Sequence, residues 1–222
     1  MNLLIVSALS STPAFAASPT INLASVASET EGLTVSLGSG AAVLAYGPLP
    51  AARASLEFNA EHLRLKASST TYFGSEAETF NLLGAAWSFG SSQRFQTGPV
   101  LNVAHHVGSS DLDQRISLRA GWSLDAQGDR YGFDMTVSLA GLGWHPAGEV
   151  ETPLYSLALL DTLTATELGV RRSWGHHRAR LGLFGILPCL GYAWDNGTWR
   201  VRGDLATIGN RTVTWLELGR YL

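Results

Sequence analysis

The side chains in this sequence that could do chemistry meet in one short segment. His105 and His106 precede Ser109 by four and three residues, and Asp111 and Asp113 follow. A histidine beside a serine can take the hydroxyl proton while a carboxylate orients the ring, which is the arrangement of a nucleophilic hydrolase. The Gly-Ser-Ser of the segment is also typical of a polar loop, and that is the interpretation we favour.

The other histidines and the one cysteine do not predict a metal site. His105-His106 and His176-His177 are adjacent pairs, and adjacent residues on a strand point to opposite faces, so each pair is a poor ligand set. Cys189 is the only cysteine, which excludes an intrachain disulfide and a cysteine zinc site. No catalytic, metal-binding or cofactor-binding residue is predicted.

The composition argues against a nucleic-acid partner and by itself leaves the class of fold open. Charged residues are 15% of the 222 residues, against roughly 25% in an average soluble domain. The net charge of -3 argues against a nucleic-acid partner. Among the basic residues only Lys66 is a lysine, and arginine suits multidentate pairing in a confined space, although a GC-rich genome gives the same bias.

The first residues resemble a secretion signal. Residues 1–9 are apolar, residues 10–17 are small, and Ala14-Phe15-Ala16 matches a signal-peptidase site. We therefore expect a signal peptide over residues 1–16 and a single domain over 17–222. The positive segment that usually opens a signal is missing, and a buried N-terminal strand is the alternative.

Period-two alternation of apolar and polar residues runs through most of the chain and predicts β-strands. It is clearest in residues 115–125, 130–141 and 198–207. Segment 53–66 changes phase after Ala60, which we interpret as a β-bulge. The predicted strands are 19–28, 33–46, 53–66, 77–90, 94–106, 114–125, 130–144, 153–161, 164–175, 178–193, 197–208 and 211–222.

The connections between these strands tend to alternate in length. The long ones are 67–76, 107–114 and 145–152, and the short ones are 90–93, 126–129, 162–163 and 195–197. Long loops at one end and tight turns at the other are typical of outer-membrane barrels. The expected fold is therefore all-β, a single antiparallel transmembrane β-barrel of about twelve strands, with ten as the alternative. Aromatic residues near the strand ends predict rings at both membrane interfaces.

The charged residues of the clearest strands share a face with glycine, serine and threonine. On a barrel this face is the interior, because arginine facing lipid at mid-depth costs about 2–4 kcal/mol. Glu57 and Glu61 are expected to join it, and Asp134 is expected to pair with Arg115 or Arg119 on the adjacent strand. Such charges either close the lumen or line a narrow wet channel. The predicted lumen network is Arg115, Arg119, Asp134, Glu167, Arg171, Arg200, Arg202 and Asp204.

The whole pattern, a signal followed by alternating strands, resembles small bacterial outer-membrane β-barrels, among them solitary autotransporter-like barrels. The resemblance implies a place in the cell outer membrane of a Gram-negative bacterium, in contact with lipid and lipopolysaccharide. It also implies recognition by the barrel-insertion machinery, which reads a terminal aromatic; here Tyr221 is next to last. The expected function is that of a structural protein or a narrow passive channel.

Two alternatives stay open. Outer-membrane lipid-modifying barrels, phospholipase A and the lipid A deacylase, carry a histidine and a serine two residues apart on one strand face. His106 and Ser109 are three apart, so the spacing does not match, and an enzyme is disfavoured. The second alternative is a secreted soluble β-sandwich that binds a ligand.

Overall fold

The chain folds into β-strands in the computed structural model, which describes residues 31–44, 47–74, 77–92, 94–107, 114–144, 167–184, 187–208 and 211–222. All regular elements in these ranges are strands. They are β1 (Gly32–Leu44), β2 (Gly47–Asn59), β3 (Leu63–Phe73), β4 (Ala77–Trp87), β5 (Phe89–Ser92), β6 (Phe95–Val107), β7 (Gln114–Gln127), β8 (Tyr131–Trp144), β9 (Glu167–Trp174), β10 (His177–Phe184), β11 (Leu187–Asp195), β12 (Trp199–Ile208) and β13 (Arg211–Tyr221).

The strands form one closed antiparallel barrel. Consecutive strands are neighbours except β4 and β5, β13 pairs with β1, and β4 pairs with β6. Strand β5 lies beyond Ser88 along the same edge of β6 as β4, so the barrel has twelve strands and one short extension. Closure satisfies the backbone groups that an open sheet edge would leave unpaired. The predicted single barrel of about twelve strands is confirmed, and the two packed sheets of a sandwich are not formed.

The two faces of the barrel differ in chemistry. In β2, residues from Ala51 to Asn59 alternate between buried and exposed, with Arg53 and Glu57 inward and Leu56 outward. Large aliphatic side chains cover the exterior; Leu37 and Leu139 are each 67% exposed. A surface of this kind is unfavourable in water and favourable against lipid chains.

One end of the barrel, here called the short-turn end, carries the tight connections 60–62, 93–94, 128–130, 175–176 and 196–198. Asn196 closes the last of these by accepting hydrogen bonds at Oδ1 from the amides of Thr198 and Trp199, at 3.0 and 2.8 Å. Gly197 follows with a φ of 81°, a conformation that glycine adopts without strain. At the opposite end, β6 ends at Val107, β7 begins at Gln114, β8 ends at Trp144 and β9 begins at Glu167.

Aromatic side chains ring the exterior at the short-turn end. They lie at or near strand termini and are 40–65% exposed. This matches one of the two expected interfacial rings. At the opposite end, Tyr72 and Trp215 face inward, pack edge-on at 6.1 Å between ring centroids, and are buried. The exterior ring consists of Phe58, Trp87, Phe89, Phe95, Tyr131, Trp174, Tyr192 and Trp199.

Two predicted strands each prove to be a pair. Segment 53–66 contains the end of β2, a turn at 60–62 and the start of β3, so its change of phase is a reversal of the chain and not a β-bulge. Segment 178–193 contains β10 and β11. The expected connection 67–76 is mostly strand β3, and most of the expected connection after Tyr46 is strand β2.

Several predictions lie outside the described residues: the signal peptide 1–16, the strands 19–28 and 153–161, the connections 145–152 and 162–163, and all but the two end residues of the connection 107–114. Within the described ranges, no helix is long and apolar enough to cross a membrane.

Candidate functional site

The structure places most of the predicted lumen residues on the inward face. Arg171 and Arg200 are each only 6% exposed, and Arg119 shares its face of β7 with buried Ser123. The side chain of Arg115 lies outside the described residues, and only its backbone position opposite His106 is known. The other predicted residues that line the interior cavity described below are Asp134, Glu167, Arg202 and Asp204.

A first group of ion pairs, here called the first wall, spans β12, β13, β1, β2 and β3. Arg53 Nη1 lies 3.0 Å from Glu217 Oε1, with both side chains about one-twentieth exposed. Glu57 receives Lys66 Nζ at 3.0 Å on one carboxylate oxygen and Arg200 Nη2 at 2.8 Å on the other. The Arg53 guanidinium also lies 4.0 Å from the centre of the Trp215 ring, which holds it flat against the wall.

A second group, here called the second wall, spans β7, β8, β9 and β10. Arg171 pairs with Asp125, and both side chains are buried. Arg180 donates from Nη2 to Asp134 Oδ2 at 2.5 Å and from Nε to the same oxygen at 3.0 Å. The same Arg180 Nη2 is 3.6 Å from Glu167 Oε2. Each charge on this wall therefore has an opposite charge beside it, which offsets the loss of hydration.

Several of these pairs reach over an intervening strand, and glycine makes that possible. A methyl group added at Gly169 of β9 would lie 2.6 Å from Arg180 Nε, and one at Gly132 of β8 would lie 2.7 Å from Arg171 Nε. In the same way, Gly38 of β1 lies beneath the side chain of Glu217, which reaches across β1 from β13. The long arginine and glutamate side chains thus lie flat along the wall, because the strand beneath them has no side chain there.

The two walls face each other across the lumen. In the ring of twelve strands, β1 at the centre of the first wall and β8 in the second are six positions apart. Between the walls lies a cavity of about 590 Å³, lined by Glu57 and Arg200 from one side and Asp134 and Arg180 from the other. The turn residue Gly197 also lines it, so the cavity reaches the short-turn end.

Two further contacts stand at the edge of the cavity. Arg202 Nε donates to Asp204 Oδ2 at 2.8 Å, two residues along the same face of β12. Tyr221 donates its hydroxyl to Asp195 at the short-turn end. Arg202 and Asp204 were both predicted to face the lumen; that they pair with each other along one strand was not.

Two expectations about the lumen charges are wrong: the partner of Asp134 and the position of Glu61. Asp134 pairs with Arg180 of β10, because its direct neighbour on β7 is Asp125, while Arg119 lies six residues further along β7, opposite Gly141. Glu61 does not join the lumen, because it lies in the turn between β2 and β3, where its side chain is 84% exposed.

Five residues of the two walls were absent from the predicted network: Arg53, Lys66, Asp125, Arg180 and Glu217. Two had a readable signal, since Asp125 shares a face with Arg119, and Glu217 alternates with Leu216 and Leu218. Arg180 had no readable signal, because the sequence pattern of 178–193 does not show that the segment holds two strands, β10 and β11.

The segment with possible hydrolase chemistry is only partly described. His105 lies in β6 opposite Ile116, whereas Ser109, Asp111 and Asp113 lie outside the described residues. Among the residues that are described, no three or more histidine, cysteine or acidic side chains cluster as a metal site would require.

The fold, but not the sequence, has recognisable relatives. A comparison with protein-family models finds no match, and a comparison with curated protein sequences finds none either. Among solved structures, a KdgM porin aligns with a TM-score of 0.59 and 8% identity over 85% of this chain and 99% of the porin. The same porin in complex with disordered oligogalacturonate aligns with a TM-score of 0.57, at the same identity and coverage.

Outer membrane phospholipase A from Escherichia coli aligns with a TM-score of 0.50 and 12% identity, over 90% of this chain and 92% of the enzyme. At such low identities, these likenesses establish the fold and nothing about activity. The closed sheet, the aliphatic exterior and the aromatic ring at one end agree with that fold. The protein therefore has the fold of the outer-membrane β-barrels, a closed antiparallel barrel of twelve strands.

Proposed function

We propose that this barrel is a narrow passive channel whose lumen is lined by arginine–carboxylate walls. The observation that carries the proposal is the cavity of about 590 Å³ between the two walls. If the charges instead formed a plug, ion pairs would be expected to cross from one wall to the other. The pairs Arg53–Glu217, Arg200–Glu57, Arg171–Asp125 and Arg180–Asp134 each stay within one wall, and Arg202–Asp204 stays on a single strand.

The direction of the ion pairs affects the width of the channel. Side chains that pair along a wall lie parallel to the sheet, so they narrow the lumen but do not cross it. Twelve strands also enclose more space than the eight that side chains alone can fill. Fixed charges facing this space favour water and ions over an empty, apolar interior.

The exterior supports the partners that we propose for the barrel. Its aliphatic band suits the acyl chains of outer-membrane lipid and lipopolysaccharide, and its aromatic ring suits the headgroup level. Insertion would pass through the barrel-insertion machinery, as for other proteins of this fold.

The experiment is conductance of the refolded protein in planar bilayers. We expect small, steady single-channel currents in the wild type. Arg202→Ala should increase the conductance, because Arg202 borders the cavity and its removal widens the lumen. Arg220→Ala is the matched control, since Arg220 lies on the exterior over the Trp199 ring and should leave the current unchanged.

A folded wild type that passes no current would contradict the channel and favour a purely structural barrel. Folding is checked in every sample by the difference in gel mobility between heated and unheated protein.

A further inference from the structure

A basic surface covers one side of the cavity at the level of β9 to β12. It consists of Arg171, Arg178, Arg180 and Arg202, all of which line the cavity. Arg171 and Arg180 are direct cross-strand neighbours. Like charges placed opposite each other are destabilising on their own, so such a surface needs anions.

Three of these four arginines have a carboxylate partner. Arg171 pairs with Asp125, Arg180 with Asp134, and Arg202 with Asp204.

Arg178 is the exception. In the part of the chain that the structure describes, no carboxylate lies within ion-pair distance of it, and its direct neighbours on β9 and β11 are Ser173 and Ala193. Arg178 therefore lines the cavity near the short-turn end without a counter-charge from the described side chains.

The balance of charge in the lumen has the same sign. Among the side chains that the structure describes, seven basic and five acidic ones line the cavity. Four more described charges lie on the inward face, Arg53, Arg119, Asp125 and Glu217, and they leave that excess of two positive charges unchanged. The whole chain has a net charge of -3, so these described lumen charges have the opposite sign to the protein.

We infer that the channel selects small anionic solutes, and that Arg178 is the residue that binds their carboxylate or phosphate group at the short-turn mouth. This inference rests on the proposed channel and names its substrate class. A guanidinium presents several N–H donors in one plane and binds such groups with two parallel hydrogen bonds. Confinement between low-dielectric walls strengthens that attraction and raises the local concentration of anions.

The test is the reversal potential of the refolded barrel in a potassium chloride gradient. We expect the wild type to prefer chloride over potassium. Arg178→Gln should reduce the permeability ratio about two- to fivefold, the range that a partly exposed charge contributes. Arg178→Lys should keep most of the preference, and Arg172→Gln should keep all of it, because Arg172 lies on the exterior beside the Tyr131 ring.

A second measurement identifies the bound group. Succinate and inorganic phosphate are added separately to the chloride solution, and the fall in chloride current is recorded. A fall in the wild type that is weaker in Arg178→Gln supports the site, and the stronger of the two blockers identifies the preferred anion.

The outcomes separate this inference from the channel itself. A folded wild type without current contradicts the channel. A current that prefers potassium, or one whose selectivity and block are the same in Arg178→Gln, overturns the inference and leaves the channel standing.

Discussion

Removal of Asp134 tests how much its pair with Arg180 stabilises the second wall. It accepts three hydrogen bonds from Arg180, whose side chain is 24% exposed. Asp134→Ala would leave Arg180 with only Glu167 nearby. We expect the free energy of unfolding to fall by about 2–3 kcal/mol, somewhat less than for a fully buried pair.

The control for this variant is Asp129→Ala. Asp129 pairs with Arg94 outside the lumen, where both side chains are at least three-quarters exposed. Such a pair contributes less than about 1 kcal/mol. Urea unfolding in lipid vesicles, followed by tryptophan fluorescence, measures both variants. Equal and small losses would mean that Asp134 is not held by Arg180 in the membrane.

At the residue scale, alternation predicts which side chains face inward but not which of them pair. Arg171, Arg200 and Asp134 could be assigned to one face because each lies in a strand of regular period. Their partners could not, because pairing was expected between adjacent strands, at the usual cross-strand distances. Arg180 instead reaches Asp134 across β9, and that depends on Gly169 and on the register.

At the scale of the strand, β9 should tolerate a side chain at Gly169 poorly. The added methyl of Gly169→Ala would lie within 3 Å of the Arg180 guanidinium and push it away from Asp134. We expect a loss of about 1.5–3 kcal/mol in unfolding free energy, the contribution of hydrogen bonds to a charged group. Gly203→Ala is the control, because the nearest atom to its methyl is 3.7 Å away, an ordinary contact.

The mechanism is tested by the double variant. If Gly169→Ala acts by displacing Arg180, it should cost much less in the Asp134→Ala background, where the pair is already lost. Additive losses would mean that the methyl strains β9 itself and that the glycine has another role.

The two strand boundaries that the sequence pattern does not show, at 60–62 and between β10 and β11, were missed for related physical reasons. The reversal at 60–62 has no glycine or proline, and the chain leaves β2 and enters β3 with only a change of phase. A bulge gives the same change, so the pattern alone does not distinguish a kink from a turn. Pro188 lies four residues after β10 ends, and in a segment apolar on both faces it did not mark the new strand.

At the scale of the molecule, the predicted number of strands was right for a different set of strands. Two merged segments each hold two strands of the barrel, whereas predicted strands 19–28 and 153–161 lie outside the described residues. The barrel itself was predictable, because lipid on one side and charge on the other impose a strict period of two. The turns have no such period, so their positions could not be predicted in the same way.

The whole barrel should have a fixed orientation, with the short-turn end in the periplasm. Two cysteine variants test this in a Cys189→Ala background: Glu61→Cys in the exposed turn after β2, and Gly74→Cys, exposed directly after β3 at the opposite end. With a membrane-impermeant maleimide, Gly74→Cys should react in intact cells. Glu61→Cys should react only after the outer membrane is permeabilised. The reverse pattern would place the Arg178 mouth at the cell surface, so that anions would meet it first from outside.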